Sequence, residues 1–190
     1  YVYINDTESQ LQYLFYNFVP CILYVNFGNN FIKLKEEKMS NLNDKAPNFE
    51  LKNTKKEEVS LSDHKGKTVV LAFYPGAFTG VCDTEMCALQ DNLSSFNDLN
   101  ATVFGISVDS PWANGAFAKE YNLNFELLSD YNRQVSRDYD MIFNGLGGLD
   151  GYECSNRGII IIDSEGIISY RWVAENPGIE PNYEEIIEIV

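Results

Sequence analysis

Histidine occurs once in these 190 residues, at His64, and that scarcity closes off several kinds of chemistry. His64 falls in the polar stretch Ser62-Asp63-His64-Lys65-Gly66, where a solvated loop side chain is the ordinary role. A Cys–His hydrolase would have to recruit this imidazole across the fold, and a zinc site would need more ligands than one remote histidine and scattered cysteines readily supply. Positive charge is also scarce: 14 lysines and arginines stand against 28 acidic residues, for a net charge of −14. Nucleic acid and anionic membrane surfaces would be repelled rather than recruited, and the acidity suits a soluble cytoplasmic protein. Four cysteines, at 21, 82, 87 and 154, are too few to form a dense disulfide framework in a chain this long. They point instead to a reduced, intracellular protein that uses selected thiols. No apolar run reaches the roughly 20 residues of a membrane span. The stretch from Leu11 to Phe27 is interrupted by Gln12, Asn17, Pro20 and Asn26, with no basic segment before it and no small-residue cleavage site after it. The glycines from Asn144 to Gly151 lack the strand-then-helix context and the spacing of a dinucleotide site, so they read as a loop.

What is present suffices for one core. Apolar residues make up 45% and aromatics 14% of the chain, which suits a single domain of this length. The first 38 residues differ in character, holding nine aromatics from Tyr1 to Phe31 and one glycine, with neither strand alternation nor a helical stripe. They are taken as a disordered or non-native leader, with a membrane-associating segment or a structured extension as alternatives, and Met39 as a credible start. No membrane association is expected of 39–190. From Ala46 onward strands and helices alternate: short strands at Phe49–Leu51 and Val59–Leu61, a strand over Thr68–Phe73, a helix from about Val81 to Leu99, a strand over Thr102–Ser107, a helix over Trp112–Glu120, a strand at Phe125–Leu128 and a helix over Asn132–Tyr139. A hairpin follows, Gly158–Asp163 and Ile167–Val173 around Ser164-Glu165-Gly166, and a helix over Tyr183–Ile189 closes the chain. This alternation implies an α/β fold, a central mixed sheet with helices on both faces.

The most informative stretch runs from Tyr74 to Cys87. It follows the apolar, β-branched run Thr68–Phe73, and Leu89, Leu93 and Phe96 recur downstream at helical spacing. Thr79 suits an N-cap, so Cys82 falls in the first helical turn, where unpaired N–H groups and the helix dipole favour a thiolate. Pro75, Thr79 and Cys82 reproduce the P-x-x-x-[TS]-x-x-C signature of the peroxiredoxins, and the chain from about Ser40 to Val190 resembles that family throughout. Gly105–Ser110, Leu127–Asp130 and Tyr170-Arg171-Trp172-Val173 match in order and approximate spacing. The second cysteine, Cys87, resembles the bacterioferritin-comigratory, or Q-type, branch.

The resemblance implies a thioredoxin-like fold over 39–190 and a peroxidase that reduces hydrogen peroxide or organic hydroperoxides without metal, haem or flavin. It implies that Cys82 attacks the peroxide and becomes a sulfenic acid, that Thr79 hydrogen-bonds thiolate and substrate, that Pro75 shields the pocket, and that Arg171 brings a fixed cation to Cys82. First-turn N–H groups of Val81 and Cys82 would add donors. Glu85 matches a position often acidic in the family, and either organises the site or pairs with the helix dipole. Cys87 is implied as the resolving thiol, recycled by a thioredoxin-like dithiol; the alternative is a packed structural thiol. Five helical residues correspond to about 7.5 Å of rise and about 140° of rotation, so a Cys82–Cys87 disulfide would require the helix to unwind. Cys154 competes for the resolving role or is a bystander. Monomers and homodimers both fit. A thiol–disulfide oxidoreductase would usually carry C-x-x-C rather than this C-x4-C, and a redox sensor or oxidation-triggered holdase would use the same sulfenic acid on a partner.

Overall fold

In the computed structural model the described residues are strands β1 (Tyr24–Phe27) and β2 (Asn30–Lys33) together with residues 40–190. The chain divides after Lys38 into two units, Tyr1–Lys38 and Met39–Val190. In the first, β1 and β2 pair antiparallel, Tyr24 opposite Lys33 and Phe27 opposite Asn30, so two short strands stand where the residues show no alternation. The leader reading of 1–38, and Cys21 with it, otherwise lies outside the described residues.

The second unit runs β3 (Glu50–Asn53), β4 (Glu58–Ser60), β5 (Thr68–Phe73), α1 (Gly80–Asp91), α2 (Leu93–Asp98), β6 (Ala101–Ser107), α3 (Pro111–Glu120), β7 (Glu126–Ser129), α4 (Gln134–Asp138), β8 (Ile142–Asn144), β9 (Glu153–Ser155), β10 (Gly158–Ile162), β11 (Ile168–Val173) and α5 (Tyr183–Ile189). Seven strands form one mixed sheet in the order β11-β10-β5-β6-β7-β3-β4, with β5, β6 and β7 mutually parallel and the remaining pairs antiparallel. Because side chains alternate along a strand, each central strand feeds two cores. Leu71, Phe73, Ile160 and Ile162 pack on one face with Val135 of α4; Val70, Ala72, Ile159 and Ile161 pack on the other with Met86 and Leu89 of α1, Phe96 of α2, Phe117 of α3 and Ile186 of α5. The alternation of elements therefore yields the expected mixed sheet covered on both faces.

Two expectations are corrected. The long helix from Val81 to Leu99 is two helices, broken at Asn92, whose backbone N–H and Nδ2 both donate to the Ala88 carbonyl, the side chain at 2.8 Å; an asparagine bonding its own turn competes with helix continuation. The glycine segment is a loop as expected, but it joins an unexpected hairpin, β8 paired antiparallel with β9 and Cys154 opposite Phe143. Among the described residues no helix is long and apolar enough to cross a membrane.

Candidate active site

Strand β5, an interior strand buried along almost its whole length, ends just before Tyr74, whose N–H donates to the Ile106 carbonyl at 2.9 Å. From there Pro75, Gly76, Ala77 and Phe78 turn the chain into α1. Phe78 adopts a left-handed conformation (φ 60°), costly for a bulky residue, and sets its ring edge-on to Phe117 with centroids 5.2 Å apart. Thr79 is the N-cap of α1, but its hydroxyl makes no capping bond. It lies 2.8 Å from the Gly76 carbonyl and 2.9 Å from Cys82 Sγ.

Cys82 is the third residue of α1 and is almost wholly buried, at 1% exposure. Its N–H donates to the Thr79 carbonyl at 2.6 Å, so that donor, expected to face the reacting atoms, is already engaged. The cation beside the sulfur is Arg157, whose Nη2 donates to Sγ at 3.1 Å. Arg157 Nε donates to the Pro177 carbonyl at 2.8 Å and Nη1 to Glu85 Oε2, so all three edges of the guanidinium plane are fixed. The Arg157–Glu85 pair is buried, at 1% and 0% side-chain exposure. Burial pushes the Glu85 carboxyl up, to about 8, while the Arg157 charge and hydrogen bond pull it down. Glu85 is thus paired with Arg157 through one oxygen, whereas its second oxygen, Oε1, is buried without a hydrogen-bond partner.

Arg171, which the resemblance puts beside Cys82, lies elsewhere. It stands opposite Ile160 on β11, and Ile160 belongs to the core on the sheet face away from Cys82. Its guanidinium donates to the carbonyls of Tyr139 at 2.9 Å and Asp140 at 3.3 Å. Strand parity is the physical reason: residues 157, 159 and 161 share one side, and Ile159 and Ile161 pack with Cys82. Arg157 is the residue beside the sulfur that sequence reasoning missed: it shares parity with Ile159 and Ile161, but the unbroken run Ile159–Ile162 gives no alternation from which to read that parity.

Pro75, Thr79, Val81, Cys82 and Arg157 line one cleft of about 470 Å³, together with Phe143 and Leu146 from the β8–β9 hairpin and Pro177. Cys87 is half-buried in the same uninterrupted helix as Cys82, and burial with the nearby Asp91 and Asp83 raises its thiol above the ordinary value. Cys154 is fully buried on β9, and burial raises its thiol to about 11.

A buried cysteine at the first turn of a helix, held between a hydroxyl and a guanidinium beyond the end of a central strand of a mixed sheet, defines a thiol-chemistry domain of α/β type. The model of the AhpC/TSA family matches residues 42–171, and the chain belongs to that family. It is 39% identical over 143 residues to the mitochondrial thioredoxin-dependent peroxide reductase of Bos taurus, a match covering 70% of this chain and 52% of that protein. It is 38% identical over 128 residues to peroxiredoxin Bcp of Bacillus subtilis, covering 67% of this chain and 82% of the relative. The crystal structure of PrxQ from Xylella fastidiosa superposes with a TM-score of 0.70 at 25% identity, over 80% of this chain and 95% of that one. The chain thus spans about half the length of the mitochondrial relatives. The fold is the thioredoxin-like fold of the peroxiredoxins, and relatives of the Q-type branch stand among its kin.

Proposed function

We propose that the chain is a thiol peroxidase that reduces hydrogen peroxide and organic hydroperoxides, with Cys82 as nucleophile. The observation that carries this reading is the sulfur of Cys82 set between Thr79 Oγ1 at 2.9 Å and Arg157 Nη2 at 3.1 Å. A fixed guanidinium, always charged, favours thiolate over thiol and offers donors to the oxygen on which charge develops. The thiolate attacks the hydroxyl oxygen of ROOH; an S–O bond forms as the O–O bond breaks, sulfur is oxidised and the peroxide reduced. The hydroxyl hydrogen stays on the new sulfenic acid, and the departing alkoxide takes a proton from water to leave as alcohol. Pro75 walls the cleft beside the sulfur, and Glu85 holds Arg157 in position.

Cys87 then condenses with the sulfenic acid, releasing water and forming a disulfide that an external dithiol reduces by exchange. The printed name of the mitochondrial relative, a thioredoxin-dependent reductase, supports a thioredoxin-like reductant. Cytoplasmic location and a monomeric or homodimeric state complete the proposal, with no resident cofactor. The names of the relatives favour neither a sensor or holdase nor a disulfide oxidoreductase. Peroxide consumption driven by a dithiol tests the reading: wild type turns over, Cys82→Ser does not, and Cys87→Ser reacts once and then stalls. Turnover by Cys82→Ser at the wild-type rate would overturn it.

A further inference from the structure

The Gly76–Ala77 peptide group links the Cys82 sulfur to a carboxylate beyond the end of another strand. At one end of that group Ala77 N–H donates to Asp109 Oδ2 at 2.7 Å; at the other the Gly76 carbonyl accepts from Thr79 Oγ1 at 2.8 Å. Thr79 Oγ1 is in turn 2.9 Å from Cys82 Sγ. A hydroxyl has a single hydrogen, so Thr79 donates either to the Gly76 carbonyl or to sulfur. An anionic acceptor at the N–H end of a peptide makes a strong, charge-assisted bond and polarises the group, which makes its carbonyl oxygen the better acceptor. Asp109 is itself held: Ser107 Oγ lies 3.2 Å from Oδ2 and accepts from Asp109 N–H at 3.2 Å, while Ser129 Oγ donates to the Asp109 carbonyl at 2.5 Å. Gly76 lies between the two side chains, for a Cβ on it would stand in ordinary contact with both, 3.7 Å from Asp109 Oδ2 and 3.8 Å from Thr79 Cγ2.

We propose that Asp109 is a positioning residue for the peroxide reaction: through the Gly76–Ala77 peptide it draws the Thr79 hydrogen onto the Gly76 carbonyl. The sulfur then keeps its electron pairs free for attack, and Thr79 oxygen presents a lone pair to the O–H of the arriving hydroperoxide. This rests on the peroxidase reading. It assigns work to a residue of the Ser107-Val108-Asp109-Ser110 segment that touches neither sulfur nor substrate.

The test is Asp109→Asn, alone and with Thr79→Val, against wild type and Thr79→Val. Two quantities are read: the pH at which thiolate ultraviolet absorbance develops, and the limiting rate constant with hydrogen peroxide where the thiolate is fully formed. With the carboxylate charge gone and the Thr79 hydrogen released toward sulfur, Asp109→Asn forms thiolate at lower pH yet reacts about 10-fold more slowly. In the Thr79→Val background the same change alters the limiting rate by less than about 2-fold, since the two residues act through one hydrogen. A site that had merely loosened would form thiolate at higher pH. Ser107→Ala, which removes a brace on Asp109 together with a contact to Asn114 Oδ1 at 3.2 Å, moves both readings in the same directions by less, and serves if Asp109→Asn does not fold. A wild-type rate in Asp109→Asn, thiolate formation at higher pH, or a rate loss that adds in full to that of Thr79→Val would overturn the assignment. If wild type reacts no faster than a free thiol, the peroxidase reading fails, and the thiolate titrations still decide whether Asp109 acts through Thr79.

Discussion

A guanidinium bonded along all three edges cannot be exchanged for another cation without loss, and at the residue scale Arg157 is where this matters most. Arg157→Lys keeps the charge but loses the fork that reaches Cys82, Glu85 and the Pro177 carbonyl together. It is expected to fold and to slow peroxide reduction by about 10- to 100-fold in stopped-flow traces. Arg157→Ala leaves the Glu85 carboxyl buried without its hydrogen-bond partner and is expected to lose about 1–3 kcal/mol of stability in denaturant unfolding. Arg171→Ala, on the far face of the sheet, changes the peroxide rate by less than about 2-fold. Cys154 supplies the pH test. Its thiol is raised from 9.0 to about 11 in the fold, so the stability it contributes is complete below 9 and is lost as pH rises through about 11. Both thiols are raised, so burial separates them: in the folded protein at neutral pH alkylation labels half-buried Cys87 faster than fully buried Cys154, and rapid labelling of Cys154 would contradict that. Cys82, Thr79 and Pro75 were legible in the sequence because eight residues of one turn and one helix start hold all three. Arg157 was not, because Ile159 to Ile162 are all buried and four consecutive isoleucines hide the alternation that assigns each to a face.

At the scale of the element, α1 carries both Cys82 and Cys87, the thiols proposed to attack and to resolve, and its geometry keeps them apart. Cys82 and Cys87 lie in one continuous helix, Gly80–Asp91, so a disulfide between them demands that the first turns unwind. Oxidised protein is expected to show faster amide hydrogen exchange across residues 80–91 than reduced protein, with the central strands unchanged; protection retained there with the disulfide formed would contradict it. The same helix rests on a close approach to β6. A Cβ on Gly105 would stand 2.5 Å from Leu127 Cδ2 and 3.4 Å from Met86 Sδ, so Gly105→Ala is expected to cost about 1–3 kcal/mol by overpacking. The longer elements were readable from periodicity and from the Gly166 turn. The β8–β9 hairpin was not: each strand has three residues, too few to show a period of two, and the glycines between them mask it. That hairpin matters, since it brings Phe143 and Leu146 to the cleft.

For the whole molecule, net charge governs encounters more than it does the fold. With a formal charge of −14, the protein repels anionic thiols, and salt screens that repulsion over a Debye length of about 8–10 Å. Reduction of the oxidised protein by glutathione, an anion, is expected to quicken as salt rises, whereas reduction by neutral dithiothreitol stays constant. A fall with salt for glutathione would show that the positive end of the site outweighs the overall charge. The central claim remains that Cys82 is the sulfur that reduces peroxide. Its most direct test is stopped-flow oxidation of the fully reduced protein by hydrogen peroxide, wild type beside Cys82→Ser and Cys87→Ser, with intact mass taken on each product. The account predicts fast reaction lost only in Cys82→Ser, an intramolecular disulfide in wild type, and sulfenic or more oxidised Cys82 in Cys87→Ser. Equal reaction of Cys82→Ser and wild type would contradict it.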